Sequence, residues 1–76
     1  MQTVSIKLDT VDKIKGFVNI VAPLDGDFDI VSARYVVDAK SIMGIFSLDL
    51  SKPLELRIHD AASTERVIPL LKDYIV

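Results

Sequence analysis

Val4, Ile6 and Leu8 alternate with Ser5, Lys7 and Asp9, the two-residue period of a strand with one buried face. The period then changes. Val11, Ile14, Phe17, Val18 and Val21 recur at helical spacing and leave Asp12, Lys13, Lys15 and Asn19 outward. A helix is expected there, capped by Asp9 or Thr10 and closed by Pro23 and the turn-forming Asp25-Gly26 pair. Phe28 and Ile30 alternate with Asp27 and Asp29 as a second strand. Tyr35 and Val37, set against Arg34, Val36 and Asp38, form a third. Ser32-Ala33-Arg34 leaves room between them only for a hairpin, although no Asn-Gly pair marks its turn.

Ser41 to Leu48 reads as a short helix, with Ile45 and Leu48 facing the core and Lys52-Pro53 as its stop. The clearest strand follows, where Leu54, Leu56 and Ile58 alternate with Glu55, Arg57 and His59. Val67, Leu70, Leu71, Tyr74 and Ile75 then describe a last amphipathic helix, with Ser63 or Thr64 as its cap. Pro69 falls inside it. A proline in a helix interior removes a hydrogen bond and costs roughly 3 kcal/mol, so a kink or a late start is expected.

The order β-α-β-β-α-β-α, with one apolar face on every strand, predicts an α+β domain whose helices cover one side of a mostly antiparallel sheet. Val4, Ile6, Phe28, Ile30, Leu54, Leu56 and Ile58 occupy the apolar phase and should all lie on the covered face.

Composition narrows the picture. Seventy-six residues make one domain, 1–76, that buries roughly 60% of its unfolded surface. Half of the residues are hydrophobic, enough for a real core. With no cysteine there is neither a disulfide nor a thiolate metal site, so packing alone must hold the fold. The formal charge of −2 and the scattered lysines and arginines argue against nucleic acid. No apolar run is long enough to span a bilayer and Met1 to Lys7 does not read as a signal sequence, so a cytoplasmic location without membrane contact is expected.

Few residues offer chemistry. Asp25, Asp27 and Asp29 around Gly26 suggest calcium only until the spacing is tested: no glutamate follows at the EF-hand distance, and the segment runs into a strand. His59 is the single histidine and sits at a strand end on the polar face, where one imidazole without further ligands makes no metal site. No paired carboxylates, nucleophile–base pair or glycine-rich phosphate loop is present, so neither an enzyme nor a cofactor is expected.

The run Lys40-Ser41-Ile42-Met43-Gly44-Ile45-Phe46-Ser47-Leu48 is similar to the second-helix region of Gram-positive HPr proteins, the phosphocarriers of sugar phosphotransferase systems. In those proteins a Lys-Ser-Ile-Met-Gly run opens the short helix. The order of elements matches as well, so the resemblance covers nearly the whole chain. It implies an HPr-like open-faced two-layer sandwich, with a four-stranded antiparallel sheet in the order 1-4-2-3.

One family motif is missing. HPr proteins carry phosphate on a histidine in a His-x-Arg-Pro loop before the first helix. Here Asp9-Thr10 stands in that place, and neither His nor Arg precedes Pro23. A neutral imidazole nucleophile is what that chemistry requires. Thr10 is expected to be a cap, with holding a phosphate or being modified itself as the lesser alternative. For Ser41 the resemblance implies phosphorylation by a serine kinase and docking to a transcriptional regulator, beside the plain alternative of a helix cap. Ile42, Met43 and Phe46 correspond to the apolar patch that relatives offer to transport enzymes, the kinase and the regulator. The expectation is therefore a non-catalytic HPr-like regulatory or interaction protein with Ser41 as phosphorylation candidate and Ile42, Met43 and Phe46 as partner-binding residues. The alternative is a phosphotransfer component with another acceptor, such as His59.

Overall fold

The computed structural model describes residues 2–76, the side chains of residues 61–63 excepted. Its elements run β1 (Gln2–Ile6), α1 (Val11–Val21), β2 (Phe28–Ser32), β3 (Tyr35–Asp38), α2 (Ile42–Phe46), β4 (Leu54–Ile58) and α3 (Ala61–Leu70). Among the described residues the strands form one four-stranded sheet in the order β1-β4-β2-β3, with every neighbouring pair antiparallel.

Register follows from the apolar phase. Val4 pairs with Leu56 and Ile6 with Leu54, while on the other side of β4 Phe28 pairs with Ile58 and Ile30 with Leu56. Side chains alternate with period two, so a slip of one residue would turn this whole set to water. Ile6, Phe28, Ile30, Leu54, Leu56 and Ile58 are buried, and Val4 packs against them half-covered. Ile14, Phe17 and Val21 of α1, Ile45 of α2 and Val67 of α3 close over the same face. No helix among the described residues is long and apolar enough to cross a membrane.

Thr10 is the cap of α1: its hydroxyl accepts from the Lys13 amide at 3.1 Å. Asp9 instead forms an ion pair with Lys13 at 3.0 Å. Gly26, at φ 102°, makes the turn expected of Asp25-Gly26, in a region that strains any side chain. The β2–β3 hairpin closes through Ala33-Arg34, with Ala33 at φ 54° in the place a glycine or asparagine would fill without strain.

Several expectations need correction. Val11 is exposed, because it lies on the flank of the α1 stripe in the first turn. The second helix ends at Phe46, not Leu48, and well before Lys52-Pro53. Ser47 caps it, its hydroxyl and amide both bonded to the Gly44 carbonyl. The last helix begins at Ala61, so Thr64 lies inside it, its amide on the Asp60 carbonyl, rather than capping it. The Ser63 side chain lies outside the described set. Pro69 neither delays that helix nor sits at its centre; it is the penultimate residue. Leu70 is exposed. Tyr74 and Ile75 lie past the helix end, in a segment that returns to β1, where Ile75 bridges Ile6 and the Lys7 amide donates to the Tyr74 carbonyl at 2.8 Å.

Candidate functional site

Between β3 and α2 the chain is fixed by its own polar groups. The Ala39 amide donates to the Phe28 carbonyl at 2.9 Å, and Ala39 itself is buried. Asp38 holds the bend twice, its carboxylate accepting from the Lys40 amide at 2.9 Å and its carbonyl from the Ser41 amide at 3.0 Å. Ser41 is left extended, at φ −98° and ψ 104°, with Oγ accepting from the Gly44 amide at 3.1 Å and the carbonyl from the Ile45 amide at 3.1 Å. That is an N-cap, and the residue is exposed.

Packing then divides the short helix. Ile45 is fully buried. At Gly44 a Cβ would stand 3.2 Å from the Cβ of Val37, so the absent side chain lets α2 lie close on β3. Ile42 is half-buried, packed against the core on one side. Met43, 75% exposed, and Phe46, 41% exposed, are left facing solvent. Two large apolar side chains, two and five residues after the exposed cap serine, thus stand on a helix of five residues.

Lys40, the residue before Ser41, is engaged with the body of the domain. Its ammonium donates to the Leu24 carbonyl and lies 5.5 Å from the centroid of the Phe28 ring. Past the helix, Asp49 accepts from both the hydroxyl and the amide of Ser51, which lowers its carboxyl below the usual value, with the Ser51 hydroxyl as the largest cause.

His59 lies elsewhere, just beyond β4. Its Nε2 donates to the Asp29 carboxylate at 2.7 Å, and its amide donates to the Asp27 carbonyl at 3.1 Å. Together with Gly26, Asp27, Asp38 and Lys40 these residues line an open hollow of about 650 Å³. Three of its seven lining residues are aspartates, set beside Lys40, His59, Gly26 and Phe28. The pairing of His59 with Asp29, thirty residues away, escapes sequence reading because it needs both the strand order and the register of β2 on β4. Given Asp29 opposite Arg57, a histidine two residues further on is within reach of that carboxylate. Among the described residues no three His, Cys, Asp or Glu side chains are placed to hold a metal ion. Val11 and Tyr35, which periodicity puts in apolar phases, are exposed, as is Val36.

No family model matches the sequence, and no curated protein does. Similar solved structures include two phosphocarrier proteins. HPr-C-His from Thermoanaerobacter tengcongensis superposes with a TM-score of 0.78 at 24% identity, over 95% of this chain and 89% of that one. The phosphocarrier protein HPr from Bacillus anthracis str. Ames does so with a TM-score of 0.72 at 22% identity, over 96% of this chain and 93% of that one. The fold of the chain is therefore HPr-like.

Proposed function

We propose that this chain is a non-catalytic, cytoplasmic HPr-like interaction protein related to the phosphoenolpyruvate-dependent sugar phosphotransferase system. Protein partners read it through Ser41, Met43 and Phe46, and phosphorylation of Ser41 changes that reading. The observation that carries the proposal is the exposure of Met43 and Phe46, two and five residues after an exposed cap serine, on a helix that buries Ile45 and half-buries Ile42. Methionine adapts to differing partners and phenylalanine supplies area, so the pair suits a recognition surface. A phosphate on Ser41 adds close to two negative charges where the first helical amides lack internal partners. The partner classes are a serine kinase, transport enzymes and a transcriptional regulator, as the HPr-like fold and the Lys40–Gly44 run suggest.

Phosphotransfer through His59 is the weaker reading. Its Nε2 is held by Asp29, and Asp27 and Asp38 line the same hollow, where their charge opposes an incoming phosphoryl group.

Two incubations test the proposal, one with phosphoenolpyruvate and the first transport enzyme, the other with ATP and the serine kinase, each followed by mass-spectrometric mapping. Phosphate on Ser41 from ATP, and none from phosphoenolpyruvate, is the expected result. An acid-labile phosphoryl group on His59 would instead establish the phosphotransfer reading. Failure of the kinase to modify Ser41 removes the switch.

A further inference from the structure

The two edges of the sheet are treated differently. At β1 the C-terminal segment covers the edge: Ile75 bridges Ile6, and the Val76 amide donates to the Ser5 carbonyl at 3.0 Å. At the other end of the order β3 is the last strand. It carries exposed Tyr35 and Val36, and apolar open edges are what strand proteins ordinarily avoid. We propose that this edge is a self-association surface, to which a second copy of the chain adds its own β3 antiparallel about a two-fold axis through Val36.

Hydrogen-bond phase agrees with that axis. A two-residue loop is closed by the pair that flanks it, here Ser32 and Tyr35, and bonded pairs alternate along an antiparallel ladder. Tyr35 and Val37 therefore bond to β2, while Val36 directs its amide and carbonyl away from it. Two copies meeting at Val36 exchange those groups directly.

Charge agrees as well. Antiparallel pairing centred on Val36 sets Arg34 opposite Asp38 of the second copy, twice by symmetry, and Tyr35 opposite its Val37. Neither Arg34 nor Asp38 forms an ion pair among the described residues. Asp38 moreover stands directly across from Asp29 on β2, a like-charge pair that an arginine from a second copy relieves. The segment Arg34-Tyr35-Val36-Val37-Asp38 is thus complementary to itself read backwards, as an isologous contact requires.

The contact is short, so association is expected to be weak, with a dissociation constant on the order of 0.1 mM or above. Sedimentation of the full chain up to about 1 mM tests it, with thermal melting to confirm the fold of each variant. Arg34→Asp alone and Asp38→Arg alone each set like charges opposite and should weaken self-association by about tenfold or more. Mixed together, those two variants present opposite charges at both positions and should form a heterodimer at least as well as the wild type. Val36→Pro removes the outward amide without touching the β2–β3 bonds, and should abolish the dimer while leaving the fold intact. A wild type that stays monomeric throughout overturns the proposal. So does a mixture that associates no better than its components, or a folded proline variant that still dimerises.

Discussion

The helices α1 and α2 open with the same device and differ in everything around it. Thr10 accepts from the Lys13 amide at 3.1 Å, and Ser41 accepts from the Gly44 amide at 3.1 Å. Beside Thr10 the surface is closed by charge: Asp9 pairs with Lys13 at 3.0 Å and lies 3.9 Å from Lys7. Beside Ser41 no such pair exists among the described residues, the nearest lysine being held at Leu24, and the next turn exposes Met43 and Phe46. Helix length sharpens the contrast. The eleven residues of α1 bury Ile14, Phe17 and Val21, whereas the five of α2 bury Ile45 alone. A capping hydroxyl is therefore uninformative about function by itself; what it is set among separates a structural start from a recognition site.

The largest expected effect lies within α2, between adjacent residues. Ile45→Ala opens a cavity under the helix and should cost about 2–5 kcal/mol, a large share of the stability of so small a domain. Met43→Ala should change stability by no more than about 0.5 kcal/mol, with Phe46→Ala falling between the two. Binding of a captured partner should follow the opposite order, losing more than about 1 kcal/mol where Met43 and Phe46 act as anchors. Denaturant melts and titration calorimetry on the same variants read both. A large loss of stability at Met43 with unchanged binding would make the exposed patch a fiction.

Next in size is the pair of caps. Thr10→Ala and Ser41→Ala should each cost about 1 kcal/mol, since each strands one amide of the first turn. Aspartate caps as well as serine, so Ser41→Asp should melt within about 0.5 kcal/mol of the wild type while altering partner binding. Thr10→Ala should leave that binding alone. Equal loss of partner binding from both alanine variants would break the distinction between the two helix starts.

The fold was legible because one rule decides most of it. Leu54, Leu56 and Ile58, with Phe28, Ile30, Ile6 and Val4, keep a single apolar phase, and no sheet pairing buries them together except the observed register. Legibility fell where apolar residues answer to something other than the sheet. Leu70 and Val11 fit a helical stripe but lie at helix ends or on its flank, beyond the reach of the core. Tyr74 and Ile75 fit the same stripe, yet the helix ends at Leu70 and the turn that follows carries them to the edge of β1. At the hairpin the turn signal is absent because Ala33 adopts a left-handed conformation that its residue type does not advertise. Of the candidate site, the cap at Ser41 and the position of the short helix were readable from local chemistry. Met43 and Phe46 were the favoured outward pair from residue type alone, and how far Ile42 is covered depends on the packing of α2.

The smallest expected effect concerns the ion pair that closes the surface at Thr10. The hydrogen bond from Lys13 is the largest influence on Asp9 and holds its carboxyl below the usual value of 3.8, with the charges of Lys13 and Lys7 assisting against a partial loss of hydration. A carboxyl depressed in the folded state stabilises it above the unfolded value, and that contribution disappears as pH falls through the folded one. The wild type should therefore lose slightly more stability than Lys13→Gln between about pH 5 and pH 2. Because the pair is exposed, added salt should shrink the difference. Asp49 provides the internal control, because its depression comes chiefly from the uncharged Ser51 hydroxyl and amide, which salt screens far less. Carboxyl titration followed by NMR at low and high salt reads both residues in one sample. The Asp9 midpoint should rise with salt and rise again in Lys13→Gln, while Asp49 stays put. Parallel movement of the two would mean that charge does not distinguish the first helix start from the second.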